Sequence, residues 1–392
     1  MSYREEQKRI RCVIMRGGTS RGLYIMRNEL PQEPALRDRV ILRLYGSPDV
    51  RQIDGLGGAD PLTSKLAIIG PATRDDADVD YTFAQVSIPE AFVDYAGNCG
   101  NISAGVGPFA IDEGLVQAVE PVTTVRIHQT NTHCIIVAEV PVANGKAVVE
   151  GDYHIDGVPG SGARIGLDFS DTAGAVTGKL LPTGQPVDHL DVPGVGPIDV
   201  SIVDAGTPCI FVRATDMGIK GTETPAQIDA DRDLNERIER VRGTAAARVG
   251  IVKRWEDAAK ESPYLPFFVL VSPPADYLDF TTGRTVKATE VDFVARLLFM
   301  LKMHKAYAVT GTVCTGAAAK IPGTLVYEAA RPETRGRSLV LIGHPAGVID
   351  IEAAVEREGD EFKLVRASVG RTARRLMEGY ALIPWSTLAE SS

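Results

Sequence analysis

Two stretches of this chain put a reactive side chain where chemistry could use it. Gly57-Gly-Ala-Asp-Pro-Leu-Thr-Ser-Lys65 runs directly into Leu66-Ala-Ile-Ile69, so Lys65 stands where a glycine-rich loop enters an apolar strand. Most lysines are solvated, and on residue type alone a surface lysine is the ordinary reading. Partial desolvation at such a junction would instead lower the amine's pKa towards neutrality and make it a usable general base. Gly97-Asn-Cys-Gly-Asn-Ile-Ser-Ala-Gly105 packs glycine, amide and hydroxyl residues around Cys99 just before an apolar stretch, a composition that suits a helix N-terminus. Free N–H groups there would bind a carboxylate, and the same positive helix end would favour the Cys99 thiolate. A buried cysteine in a tight turn fits the composition equally well. Arg16-Gly-Gly-Thr-Ser-Arg21 is a third polar turn, suited to an anion through N–H, hydroxyl and guanidinium groups, and Gly343-His-Pro-Ala-Gly347 is a fourth.

Other motifs fail on context. Gly18-Thr-Ser-Arg-Gly22 matches GxSxG, but a nucleophile elbow needs strand, turn and helix, and Leu23-Tyr-Ile-Met26 reads as a second strand. Gly311-Thr-Val-Cys-Thr-Gly316 begins like a phosphate loop, yet Ala317 stands where its lysine is required. His128 and His133 flank a polar turn and the other histidines are scattered, so no metal-ligand spacing is present. Cys12, Cys134 and Cys209 lie inside apolar runs and read as inert core residues.

The elements that must position these groups are mostly strands. Short β-branched runs recur at 10–15, 66–69, 134–140, 199–203, 209–212, 267–271, 306–309 and 338–342, between glycine- and proline-rich turns. Three segments read as core-facing helices. Residues 34–44 open on Pro34, place Leu36, Val40 and Leu44 on one face, and stop at Gly46. A second opens at Thr224-Pro225 and carries Leu234, Ile238 and Val241; a third opens with Thr289-x-x-Asp292 and aligns Val291, Val294, Leu298 and Leu301. The loop-like stretch 151–195 suggests a domain boundary near residue 185. An echo relates the halves: Cys99 and Cys314 each sit at the expected start of a small-residue helix. Pro108 and Pro322 follow at positions where proline kinks or ends one.

The 392 residues, 44% hydrophobic and 24% charged, suffice for two domains with their own cores. A net charge of −9 without a basic run makes nucleic acid or an anionic membrane a poor partner, so an anionic substrate would need locally gathered positive charge. The stretch 1–9 has no apolar leader and no stretch reaches membrane-spanning length, which leads us to expect a cytoplasmic protein. Five cysteines without a CxxC argue against a disulfide framework in that compartment.

The same segments carry a family resemblance: MRGGTSRG (15–22), GSPDVRQIDGLGGADPLTSK (46–65), VDYAGNCGNISAGVGPFAIDEGLV (93–116), TNT (130–132), CTGAAAKIPGT (314–324) and GHPAGVI (343–349). From about residue 10 to Tyr380 the chain resembles the PrpF-type isomerases. That resemblance implies an α+β architecture of two similar diaminopimelate-epimerase-like domains. Each would be a β-sheet or barrel wrapped around a central helix, with the active site in the cleft between them. The division would be 1–185, joined by a C-terminal segment at about 373–392, and 186–372.

The resemblance further implies that the family's catalytic lysine and cysteine correspond to Lys65 and Cys99, with Cys314 a candidate only. Expected substrate binders are Arg16, Gly17, Gly18, Thr19, Ser20, Asn98, Gly100, Asn101, Ser103 and Asn131 from one domain, and Thr315, Gly316 and His344 from the other. The implied reaction is a 1,3-allylic shift in a small unsaturated di- or tricarboxylate: a proton leaves a carbon conjugated through C=C to a carboxylate, a dienolate forms, and a proton returns two carbons away. Such a step calls for no cofactor and no metal. The branch acting on methylitaconate fits the motifs best, with oxalomesaconate and 2-methylaconitate as alternatives. A two-cysteine racemase or epimerase, and a non-catalytic accessory protein, are the more distant readings. The expected partner is thus an anionic polycarboxylate, with self-association into a homo-oligomer left open.

Overall fold

The β-branched runs form strands, and the strands wrap two apolar helices. A computed structural model describes residues 6–359 and 361–389; the start of the stretch 1–9 and the last residues of the C-terminal segment lie outside the described residues. The helices among them are α1 (Pro34–Tyr45), α2 (Gly100–Asp112), α3 (Pro225–Ala230), α4 (Arg232–Arg248), α5 (Ala258–Glu261), α6 (Val309–Ala318) and α7 (Leu325–Ala329).

Around α2, strand Gln7–Gly17 pairs antiparallel with Ser20–Met26 on one side and Ala373–Pro384 on the other. Ser20–Met26 continues parallel to Lys65–Pro71, and that strand continues antiparallel to Val79–Val86. Val122–Gln129 and Cys134–Ala143 complete the layer over α2. Around α6, Gly196–Ala205 and Thr207–Arg213 pair antiparallel, and Thr207–Arg213 leads through Phe267–Ser272 to Phe293–Phe299. Leu339–His344, Gly347–Glu358 and Glu361–Arg371 then close over the helix. The short strand Ile165–Asp168 pairs with both Cys134–Ala143 and Glu361–Arg371, so the two layers are stitched together. The architecture is α+β, with two similar sheet-wrapped helices. Ile102, Val106 and Phe109 of α2 share one continuous core with Val313 and Ala317 of α6. No helix among the described residues is long and apolar enough to cross a membrane.

Local sequence accounts for most helix ends. The Glu33 carboxylate caps α1 by accepting from the Ala35 and Leu36 amides, and Gly46 ends it in the left-handed region at φ 73°. The run read as one helix from Thr224 is two. A Thr224–Gln227 capping box starts α3, and extended Asp231 both ends α3 and caps α4 through the Leu234 amide. Pro108 lies inside α2, which continues to Asp112, whereas Pro322 follows the end of α6.

Two expectations are overturned. The segment expected to be a helix from Thr289 is strand Phe293–Phe299 after a short 3-10 turn, and all seven strand residues are buried. Both of its faces are covered: Phe293, Ala295 and Leu297 point into the core around α6, and Val294 and Leu298 pack into separate outer clusters. An unbroken apolar run carries no period that separates a doubly covered strand from a helix. Truncation of Leu297 to alanine in this strand is expected to cost about 2–5 kcal/mol. An unchanged urea midpoint would contradict that burial. The run at 306–309 is likewise no strand, because Ala308 caps α6 and Val309 begins it; Cys314 therefore lies mid-helix rather than at a helix start.

Candidate active site

Lys65 opens strand Lys65–Pro71 between Gly22 on one neighbour and Gln85 on the other. A Cβ on Gly22 would collide with the Lys65 carbonyl, so glycine is needed for that close approach. The Tyr45 hydroxyl donates to the same carbonyl. The side chain is only 2% exposed. Its Nζ donates to Gln85 Oε1 at 2.7 Å, and the Gln85 amide is oriented by donating to the Ser64 and Pro61 carbonyls. The rings of Phe83 and Phe299 each lie 5.3 Å from Nζ. Burial holds the amine below its ordinary 10.5, while the neighbouring Cys99 thiol, within hydrogen-bonding reach, and then Asp60 oppose the fall.

Cys99 is the N-cap of α2, and its side chain makes no capping bond. It is 8% exposed. The cap is built from its neighbours instead. Ser103 Oγ donates to the Cys99 carbonyl at 3.1 Å and to Asn98 Oδ1 at 3.2 Å, and Tyr264 donates to the Asn98 carbonyl at 2.6 Å. Burial first, and the nearby Cys99 second, push the phenols of Tyr24, Tyr81 and Tyr264 well above 10, so the thiol is ringed by neutral hydroxyls.

The turn at 16–21 docks on the same helix end, because Asn101 Oδ1 accepts from the Thr19 amide at 3.2 Å. Gly18, at φ 50°, leaves no space for a side chain beside Asn101, and Gly17 lies against the Asn101 backbone. Thr19 Oγ1 and Ser20 Oγ are enclosed without a partner and are free to donate to a ligand. Arg16 has a structural use at this turn. Its guanidinium donates to the Gly18 and Thr372 carbonyls and to the Thr372 hydroxyl, holding the turn to the C-terminal strand.

The second half contributes the start of α6, not its cysteine. A Cβ on Gly100 would lie 2.6 Å from Val309, and Asn101 Nδ2 donates to the Tyr307 carbonyl at 3.5 Å, so the N-termini of α2 and α6 meet. Cys314, Thr315 and Gly316 are deeper inside α6 and are not brought to the site. The Cys314 thiol donates to the Val203 carbonyl, Thr315 Oγ1 to the Gly311 carbonyl, and Gly316 packs on Ile351. The Asn131 amide bridges the backbones of Phe83 and Tyr95, which fixes the ring beside Lys65.

His344 lines a small cavity with Thr19, Tyr307 and Arg371, and the structure adds a twin that the sequence reading did not single out. His304 Nδ1 accepts from the Ala306 amide at 3.0 Å, and His344 Nδ1 accepts from the Ala346 amide at 3.2 Å. Each neutral ring therefore carries its hydrogen on Nε2. The repeated His-x-Ala spacing after a short strand was the available signal. Burial, then Lys65, holds His304 near 3; burial, then Arg296, holds His344 near 3. The unfolded chain takes up these protons from about 6.5 downwards while the native chain does not until about 3, so stability falls across that window on acidification. His304→Gln is expected to flatten part of that loss in melting temperatures measured from pH 7 to 4; an unchanged slope would show that His304 is not held neutral. Arg371 and Gln85 are further groups at the site that sequence reasoning missed.

The arrangement sets an amine and a thiol side by side at a helix N-terminus, with neutral N–H and hydroxyl donors around them. It suits moving a proton on an anionic substrate. Comparison with known proteins gives the same direction. The chain is 57% identical over 378 residues to 3-methylitaconate isomerase of Eubacterium barkeri, covering 96% of this chain and 98% of the relative. A crystal structure of methylitaconate-delta-isomerase superposes with a TM-score of 0.82 at 56% identity, covering 99% of this chain and 98% of the other. A hydroxyproline epimerase from Agrobacterium vitis, 11% identical, shares the fold with a TM-score of 0.58 over 97% of this chain and 93% of its own. The PrpF protein family model matches residues 7–384, and the chain belongs to the PrpF family of isomerases.

Proposed function

We propose that the protein catalyses a 1,3-allylic proton shift in an unsaturated dicarboxylate of the methylitaconate type. The observation that carries this reading is the buried Lys65 amine beside the Cys99 thiol at the N-terminus of α2. The close identity to a methylitaconate isomerase supports the substrate class. Lys65 is the general base, taking the proton from the allylic carbon, and Cys99 is the acid that delivers a proton to the other terminus. As charge builds on the carboxylate of the carbon that loses its proton, the first-turn amides of α2, Ser20 and the Nε2–H of His304 stabilise it. Removing one such donor costs on the order of 3 kcal/mol in other enzymes, so a few suffice to govern the barrier. The substrate binds between the two halves, which divide near residue 185 with the C-terminal strand returning to the first. The protein works in the cytoplasm, on a small anion.

Purified protein is incubated in D2O with methylitaconate, 4-oxalomesaconate and 2-methylaconitate and followed by proton NMR. Deuterium at a methyl or methylene terminus of methylitaconate is expected. Label confined to a stereocentre would mean a racemase, preference for another acid would reassign the branch, and no turnover of any would sink the reading.

A further inference from the structure

Arg371 closes strand Glu361–Arg371 and is 2% exposed. A guanidinium that far from water needs an anion. None of the described residues supplies one in contact. Nη1 donates to the adjacent Gly370 carbonyl at 2.7 Å, Nε is enclosed without a partner, and Asp350 acts on the group only at a distance. Burial lowers its pKa to about 10, which still leaves it charged near neutrality.

The side chain lines a cavity of about 100 Å³ shared with Thr19, Tyr307 and His344. That is room enough for a carboxylate. Three unspent donors converge there: the guanidinium, the unpartnered Thr19 hydroxyl and the Nε2–H of His344. The two acidic residues of the lining are engaged with the protein. Asp156 accepts from the Val348 amide at 2.7 Å, and Asp350 accepts from the Tyr153 hydroxyl at 3.4 Å. The cavity is continuous in bonding with the reacting end of the cleft, because Asn101 in the first turn of α2 binds both the Thr19 amide and the Tyr307 carbonyl.

We propose that Arg371, with Thr19 and His344, holds the substrate carboxylate that stays outside the reacting allyl unit. The inference rests on the allylic-isomerase reading. In a methylenesuccinate the carboxylate on the carbon losing its proton receives the developing charge, whereas the one on the middle carbon of the allyl unit does not. A permanent charge held by Arg371 interacts equally in ground and transition states, so it sets KM and not kcat. It also makes a second carboxylate a requirement of the site.

Arg371→Met and Arg371→Lys test this with methylitaconate as substrate and with succinate and its monoamide succinamate as unreactive probes. Arg371→Met is expected to raise KM about ten- to hundredfold with kcat within about threefold, and Arg371→Lys to fall between it and the parent. By calorimetry the parent is expected to prefer succinate over succinamate by about tenfold or more, and Arg371→Met to lose that preference. A fall in kcat at constant KM, or an unchanged probe preference in a variant that melts like the parent, overturns the proposal. If Arg371→Met does not fold, the KM and probe preference of Arg371→Lys decide in the same way. If the parent isomerises none of the unsaturated acids, the isomerase reading fails, and the succinate preference still judges the subsite.

Discussion

Lys65→Ala is expected to lose turnover by a factor of about 10³ while keeping its fold, because general-base catalysis by a placed amine contributes on that scale. The loss should sit in kcat, since the amine acts on the proton in flight and the carboxylates are bound elsewhere. Lys65→Arg should be equally inactive, as a guanidinium cannot serve as a base near neutrality. A different sign is expected for stability. The ammonium is desolvated between Phe83 and Phe299, and its pKa lies below the ordinary 10.5. The unfolded chain therefore holds a proton that the native chain releases, and this group's contribution to stability grows as pH rises from the folded pKa to 10.5. Lys65→Met should melt higher than the parent at pH 7 and lack that slope. Turnover of Lys65→Ala within tenfold of the parent would remove Lys65 from the mechanism. A lower melting temperature for Lys65→Met would show that the ammonium is stabilised in place by its neighbours.

Cys99→Ser should lose about 10²–10⁴ in turnover, because an alcohol in the same place is a far weaker acid and its alkoxide is not populated. The informative readout is the exchange of substrate protons with D2O. With Lys65 intact and Cys99 disabled, the allylic position should exchange faster than product forms, since the proton is removed but cannot be delivered to the other terminus. Equal suppression of exchange and product formation would instead make Cys99 the group that takes the first proton. Cys99→Ala should behave like Cys99→Ser, as the first turn of α2 is held by Ser103, Asn98 and Tyr264 and not by the thiol.

The neighbourhood of Lys65 and Cys99 was partly legible, because both residues sit at junctions with local signals. Residue type alone left Lys65 a surface lysine and Cys99 evenly placed between a helix start and a tight turn; the glycine-rich loop running into an apolar strand and the small-residue run after Cys99 were the signals that pointed to burial and to a helix. Local signals failed where burial was complete. In strand Phe293–Phe299 both faces are covered, so its apolar residues carried no period. They failed again where a polar residue in a family motif had a structural use. The amide of Asn131 is consumed by backbone groups of Phe83, 48 residues away, and Tyr95, 36 residues away. Arg371 was invisible for the opposite reason. Its burial without a carboxylate in hydrogen-bonding contact is a property of the closed fold, made by strands from both layers, and one arginine among several gives no hint of it.

The pairing of strand Gln7–Gly17 with Ala373–Pro384, register Gln7 to Pro384, has a consequence for biosynthesis. The first half cannot complete its sheet while it emerges from the ribosome, because the strand that flanks its first one is made only after the strands that wrap α6. Until then Gln7–Gly17 presents an unpaired edge, shielded only by Ser20–Met26 on its other side. Domains that mature in order of synthesis are the usual pattern. In this chain the half carrying Lys65 and Cys99 must wait until strand Ala373–Pro384 has been made, so the nascent protein depends on whatever guards open β-edges in the cell.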